Sequence, residues 1–197
     1  IFKFFDQVVR PLVYALLSVA GMPKQVLQAY RRYLESLITY NVIAGGLGHG
    51  QQRKCGIPQG CPFSMMVVAL LMRPWIVMVG AMSIQPRVLA DDVFLLARGR
   101  DMLAQFARAL DATHAYLQAM GAKVASAKSY NFASTKAARD WLAETRWEII
   151  REKIAVVKDF RYLGAHLCTQ LVMKSATLAA RLRKGMSQLR RLSYANA

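Results

Sequence analysis

Arg87-Val88-Leu89-Ala90-Asp91-Asp92-Val93-Phe94-Leu95-Leu96 sets two adjacent carboxylates between two apolar runs. The flanks suit extended strands, so the segment predicts a hairpin with its acids at the tip. Neighbouring carboxylates repel each other unless a cation neutralises them. A solvated turn tolerates such a pair without any function. At a strand end between apolar flanks the pair needs a reason, and phosphoryl transfer supplies one. Paired acids can hold two divalent ions, one activating the attacking oxygen and one stabilising the leaving oxygen.

Upstream lies Cys55-Gly56-Ile57-Pro58-Gln59-Gly60-Cys61-Pro62-Phe63-Ser64, a loop rich in glycine and proline that runs into an apolar stretch. Its glycines let the backbone approach a ligand closely. A helix opening at Pro62, with Arg53 and Lys54 just ahead of the loop, would favour phosphate. The same residues suit an ordinary loop before a core helix equally well. The stretch from Cys61 to Ile84 is almost continuously apolar, matching the about 20 residues of a membrane span. Arg73 and Pro74 interrupt its middle, where an uncompensated arginine costs several kcal/mol. The expectation is a helix buried on all sides within a protein core.

Further out, Pro11 and Pro23 fit first-turn positions of two helices, the second reaching about Tyr40. Gly21 closes the first. The cluster Gly45-Gly46-Leu47-Gly48-His49-Gly50 predicts a turn or hairpin tip between short strands. Asp101 fits the N-cap of a helix ending near Met120, with Gly121 as its stop. A short strand, a helix over about Thr135 to Arg146, strands within Val156–Leu167 and a basic helix over Val172–Leu192 complete the pattern. The class is α+β.

Charge narrows the partners. The 197 residues carry 27 Lys and Arg against 11 Asp and Glu, a net charge of +16. Asp6 and Glu35 are the only acids before Ala90, and basic residues but no acids follow Asp159. That imbalance favours a polyanionic partner, and nucleic acid fits it better than a membrane surface. At 55% apolar and 19% charged, the chain has ample surface to bury in a core. Cys55, Cys61 and Cys168 are odd in number and unclustered, which argues against a disulfide framework or zinc site. His49, His114 and His166 lack ligand spacing, and the tryptophans read as packing residues. Nothing resembles a signal peptide, and an intracellular setting, the nucleus included, is expected.

Taken together, Gly56–Ser64 followed by Leu89-Ala90-Asp91-Asp92 resembles the reverse transcriptases, those of non-LTR retrotransposons in particular. Three more segments extend the likeness in family order. Lys3-Phe4-Phe5-Asp6 is similar to the end of the first catalytic motif. Gly121-Ala122-Lys123-Val124 with Lys128-Ser129 is similar to the lysine-bearing motif, and Phe160-Arg161-Tyr162-Leu163-Gly164 to the primer grip. Group II intron and telomerase enzymes share these motifs, but the Lys-x-Phe-Asp and Phe-Arg-Tyr-Leu-Gly forms lean toward the non-LTR type.

The resemblance implies a partial polymerase palm over residues 1–167, an antiparallel sheet with packed helices. Residues 168–197 would open a helical thumb. It implies RNA-directed DNA polymerase activity in the intact parent, with an RNA template, a DNA primer, deoxynucleoside triphosphates and Mg2+ or Mn2+, and no membrane. Asp91 would ligate metal, with Asp92 a weaker or indirect ligand. Phe5 would gate the sugar, Gln59 and Gly60 would contact nucleotide and template, and Lys128 would approach the triphosphate and protonate the leaving pyrophosphate. Phe160, Arg161, Tyr162, Leu163 and Gly164 would hold the primer end, and Arg181, Arg183, Lys184, Arg190 and Arg191 would track a nucleic-acid backbone, although a solvated helix face suits them equally well.

Three departures stand out. The family's first catalytic aspartate belongs immediately before Ile1, so this piece alone is expected to be inactive. Leu89 replaces the usual aromatic, and Phe4 replaces a small residue and is expected to crowd the gate. A catalytically dead nucleic-acid-binding remnant is the alternative reading. A basic membrane-associated protein anchored by Cys61–Ile84 is a third.

Overall fold

Proline, glycine and β-branched residues set most of the element boundaries. The computed structural model describes residues 1, 3–163, 165–169 and 176–195. They divide into two units, Ile1–Ala125 with Trp147–Arg151, and Ser126–Arg146 with Glu152–Ala197.

The first unit begins with a single turn, α1 (Phe4–Gln7), and α2 (Arg10–Val19), whose first turn holds Pro11. Gly21, at φ +87°, ends α2 as expected, its amide donating to the Ser18 carbonyl and that of Met22 to the Leu17 carbonyl. Helix α3 (Lys24–Ser36) follows Pro23 and stops short of the expected Tyr40. The β-branched pair Ile38-Thr39 leaves the helix as strand β1 (Ile38–Thr39), after which come β2 (Val42–Ile43), β3 (Gly46–Leu47) and β4 (Gln51–Gln52). Strand β1 pairs antiparallel with β4, and β2 with β3, around the glycine cluster.

Helix α4 (Pro62–Gly80) is the centre of the unit, packed by α2 and by the elements after it. Those are the antiparallel hairpin β5 (Gln85–Leu89) and β6 (Asp92–Leu96) and helix α5 (Met102–Ala119). The α4 core stripe runs through Val67, Val68, Leu71, Met72, Trp75 and Val79, all buried. The expectation of burial on all sides fails, because Met65, Met66, Ile76 and Val77 on this helix are exposed. The helix is long and apolar enough to cross a membrane by length and composition. Its packing against α2, α5 and β5 along one stripe is that of a core helix.

Polar bonds lock α4 to α5 inside this core. The Trp75 indole donates to the Thr113 hydroxyl at 2.9 Å, and that hydroxyl donates to the Ala109 carbonyl at 2.6 Å. The Tyr116 hydroxyl donates to the Leu71 carbonyl. Asp101 precedes α5 as expected, but its side chain makes no capping bond. Gly121 stops the helix at φ +75°. His114 and Trp147 are buried packing residues, the latter edge-on to Phe106.

The second unit starts with a 3-10 turn, Ser126–Lys128, and strand β7 (Tyr130–Asn131). Helix α6 (Lys136–Glu144) is capped by the Thr135 hydroxyl, which accepts from the Ala138 amide at 3.2 Å. Strand β8 (Ala155–Val156) pairs parallel with β7, and β9 (Asp159–Tyr162) pairs antiparallel with β10 (Ala165–Cys168). The last element is α7 (Ala176–Ala195); positions 172–175 of the expected basic helix lie outside the described residues. Helices with small, mostly antiparallel sheets make this an α+β chain, as the sequence indicated.

Two outcomes follow for the core. Thr113→Val leaves the buried indole N–H of Trp75 without its acceptor and should cost about 1–3 kcal/mol in urea unfolding. Burial lowers the His114 imidazole to about 4 from 6.5, so the unfolded chain binds the proton first on acidification. Stability should therefore fall between pH 6.5 and 4, by at most about 1.4 kcal/mol per unit. Burial raises the Asp111 carboxyl, which works in the opposite sense. Unfolding midpoints across this pH range should be flatter for His114→Leu than for the native chain.

Candidate active site

The acidic pair sits where strand pairing puts it. Leu89 faces Asp92 across the β5–β6 hairpin, leaving Ala90 and Asp91 as its two-residue turn. Ala90 takes φ +52°, a left-handed conformation that costs an alanine on the order of 1 kcal/mol and suits glycine better. Asp91 is half-buried and Asp92 exposed. Neither carboxylate has an ion-pair partner among the described residues, so their oxygens are available to a cation.

The first residues of the chain lie against this turn. The Ile1 amino nitrogen donates to the Asp91 main-chain carbonyl at 3.0 Å. From there the chain passes through Lys3–Asp6 to the loop before α4, and the two are joined backbone to backbone. The Ile57 amide donates to the Phe5 carbonyl and the Gly56 amide to the Val8 carbonyl, both at 2.8 Å. The Cys55 thiol reaches the Asp6 carbonyl at 3.3 Å, and Arg53 pairs with the Asp6 carboxylate. Gly56 is required here: it has φ +87°, and a Cβ would stand 2.9 Å from the Phe5 carbonyl oxygen.

One residue of this assembly escaped the sequence reading. Arg10 is buried, its guanidinium donating to the Gly56 carbonyl at 2.9 Å and the Leu34 carbonyl at 2.7 Å. It thereby ties the loop to α2 and the end of α3. The available signal was spacing, since Arg10 shares the buried face of α2 with Val13 and Leu17. On the loop's far side the buried Ser64 hydroxyl donates to the Pro58 carbonyl at 2.7 Å, fixing the loop to the first turn of α4. Gln59 and Gly60 between these anchors are exposed, with Gly60 at φ +86°.

The Phe4 ring is buried in the apolar core and lies edge-on to the ring of Phe5, which is only half-buried. Ahead of the loop Arg53 pairs with Asp6 at the surface, and both Arg53 and Lys54 are exposed.

Lys128 and the primer-grip segment belong to the second unit. Lys128 is exposed at the end of its 3-10 turn. Two residues on, the Tyr130 hydroxyl donates to the Arg161 carbonyl at 2.8 Å, and Phe160 packs against both Tyr130 and Phe132. Phe160 is thus a core residue of its unit, while Arg161 is exposed and Leu163 turns the hairpin at φ +46°. Gly164 lies outside the described residues.

Among the described residues no group of three or more His, Cys, Asp or Glu side chains could enclose a metal ion. Asp91 and Asp92 suit a hard divalent cation by donor type but form an incomplete set. Comparison with protein families matches residues 1–167 to "Reverse transcriptase (RNA-dependent DNA polymerase)". The chain belongs to the reverse transcriptase family. A search of curated proteins returned no match. Membership brings an expectation of nucleic-acid template and deoxynucleotide substrates, and the family generally uses divalent metals.

The loop geometry yields a stability ranking. Gly56→Ala meets both the positive φ and the Phe5 carbonyl, and should cost on the order of 1–3 kcal/mol. Arg10→Met removes two charge-assisted bonds and should cost about 3 kcal/mol. Chemical denaturation would read both, and Gln59→Ala, at an exposed position, should leave the midpoint nearly unchanged.

Proposed function

We propose that this chain is palm from an RNA-directed DNA polymerase of the non-LTR retrotransposon type, with residues 1–167 as palm and 168–197 opening a thumb. The observation that carries the reading is the joining of three motif segments: Ile1 to the Asp91 turn, and Phe5 to Ile57 of the loop before α4. In a nucleotidyl-transfer site these segments hold metal, sugar and base, and here one short stretch of chain links them.

Asp91 would be the principal metal ligand, with Asp92 beside it. Bound Mg2+ or Mn2+ would supply the Lewis acidity that phosphoryl transfer needs. The half-buried Phe5 would pack beneath the nucleotide sugar and disfavour a 2′-hydroxyl. Gln59 and Gly60, exposed between two anchored ends, would contact the nucleotide and template without moving when they bind. Lys128, exposed at the end of its 3-10 turn, would approach the triphosphate and give its proton to the departing pyrophosphate oxygen. Phe160, Arg161, Tyr162, Leu163 and Gly164 would position the primer strand. In the family pattern the first catalytic aspartate stands immediately before Ile1, whose nitrogen donates to the Asp91 carbonyl.

The test is Mn2+ binding followed by electron paramagnetic resonance in the presence of a deoxynucleoside triphosphate. The native chain should bind Mn2+ at least about tenfold more tightly than Asp91→Asn. Equal binding by the two chains would remove the metal assignment. Salt-sensitive nucleic-acid binding with no Mn2+ binding would instead identify a catalytically dead remnant of such an element.

A further inference from the structure

The β1–β4 ribbon carries an apolar surface that the polymerase roles above leave unused. Val42, Ile43 and Leu47 near its tip are 66%, 78% and 74% exposed, and Ile38 and Tyr40 are more than half exposed. A folded chain normally hides such a group or uses it. The ribbon is built to present it. Ala44 and Gly45 both take positive φ, forming the tight turn that reverses a two-strand ribbon with the right twist. Between the two strand pairs the register slips by one residue, Tyr40-Asn41 lying opposite Gly48-His49-Gly50. Gly50 leaves room for the Tyr40 ring, whose atoms would stand about 3 Å from a Cβ there.

Charge indicates what covers this surface. No acidic residue occurs between Glu35 and Asp91, whereas Arg53 and Lys54 follow the ribbon directly. The ribbon also leads without interruption into the Gln59-Gly60 loop. A second copy of the chain is disfavoured on two grounds. Each copy carries +16, and a stable protein interface needs about 20–30 residues a side, far more than this tip provides. We infer that the ribbon is a docking surface for an unpaired nucleic-acid strand. Base faces would pack on Tyr40, Val42, Ile43 and Leu47, and phosphates would lie toward Lys54. This rests on the polymerase reading and adds to it a contact for the strand near the template loop.

The experiment measures binding of fluorescein-labelled oligo(dT), and of a self-complementary duplex, to the native chain and to a Val42→Ser, Ile43→Ser, Leu47→Ser variant. The variant should lose about tenfold or more in affinity for oligo(dT). The slope of affinity against salt should be unchanged, because no charge is removed. Ultraviolet cross-linking of a bromodeoxyuridine-containing strand to the native chain should label the peptide holding Tyr40, and decides the matter if the variant fails to fold. Equal oligo(dT) affinity for both folded chains, or cross-links only elsewhere, would overturn the inference. So would a native dimer that becomes monomeric in the variant with binding unchanged, since the surface would then join copies. A native chain that binds no nucleic acid at all would take down the polymerase reading itself.

Discussion

Two backbone hydrogen bonds, from Ile57 to Phe5 and from Gly56 to Val8, fix the candidate site. They join the first turn of the chain to the loop entering α4, positions far apart in sequence. Neither strand pairing nor helix packing would impose that contact. It depends on Gly56, where a side chain has no room, and on Arg10, whose buried charge is satisfied by two carbonyls. A buried guanidinium is costly unless its donors are used, so Arg10 favours one position of the loop over others. The exposed Gln59 and Gly60 stand between these anchored residues.

The opposite edge of the site is set by strain rather than by packing. The Ala90-Asp91 turn holds an alanine in a left-handed conformation, and the two carboxylates there lack described partners. The left-handed alanine costs stability, and a fixed backbone beside solvent-facing carboxylates is what a cation site asks for. The surrounding hairpin tolerates them because Leu95 and Ile84 anchor it in the core beside α4. Stability is placed in the helices and tension at the tip.

How much of this could be read from the residues differs by element. The β5–β6 hairpin, the starts of α2 and α4 and the Gly21 and Gly121 stops were legible, because proline, glycine and alternation act locally. The end of α3 was not, because Ile38-Thr39 leaves the helix for a partner strand a dozen residues away. The exposed side of α4 was hidden by uniform apolarity, which cannot tell which flank the chain will cover. The resemblance set Phe4 and Phe5 apart by role, but only tertiary packing shows Phe4 inside the core and Phe5 at its margin. Arg10 and the Asp6–Arg53 pair were invisible for the same reason: a charge reveals its partner only when the chain has closed. The motif residues were visible, but their joining through Phe5 and Ile57 was not.

The proposed cation site is the Asp91-Asp92 turn, against which Ile1 lies. Paramagnetic broadening of amide resonances by substoichiometric Mn2+ tests it most directly. The account predicts that the amides of Asp91, Asp92 and their hairpin neighbours Leu89 and Val93 broaden first and together. Broadening that begins at Asp140, Glu144 or Glu152 instead, or that spreads evenly over the exposed acids, would contradict it.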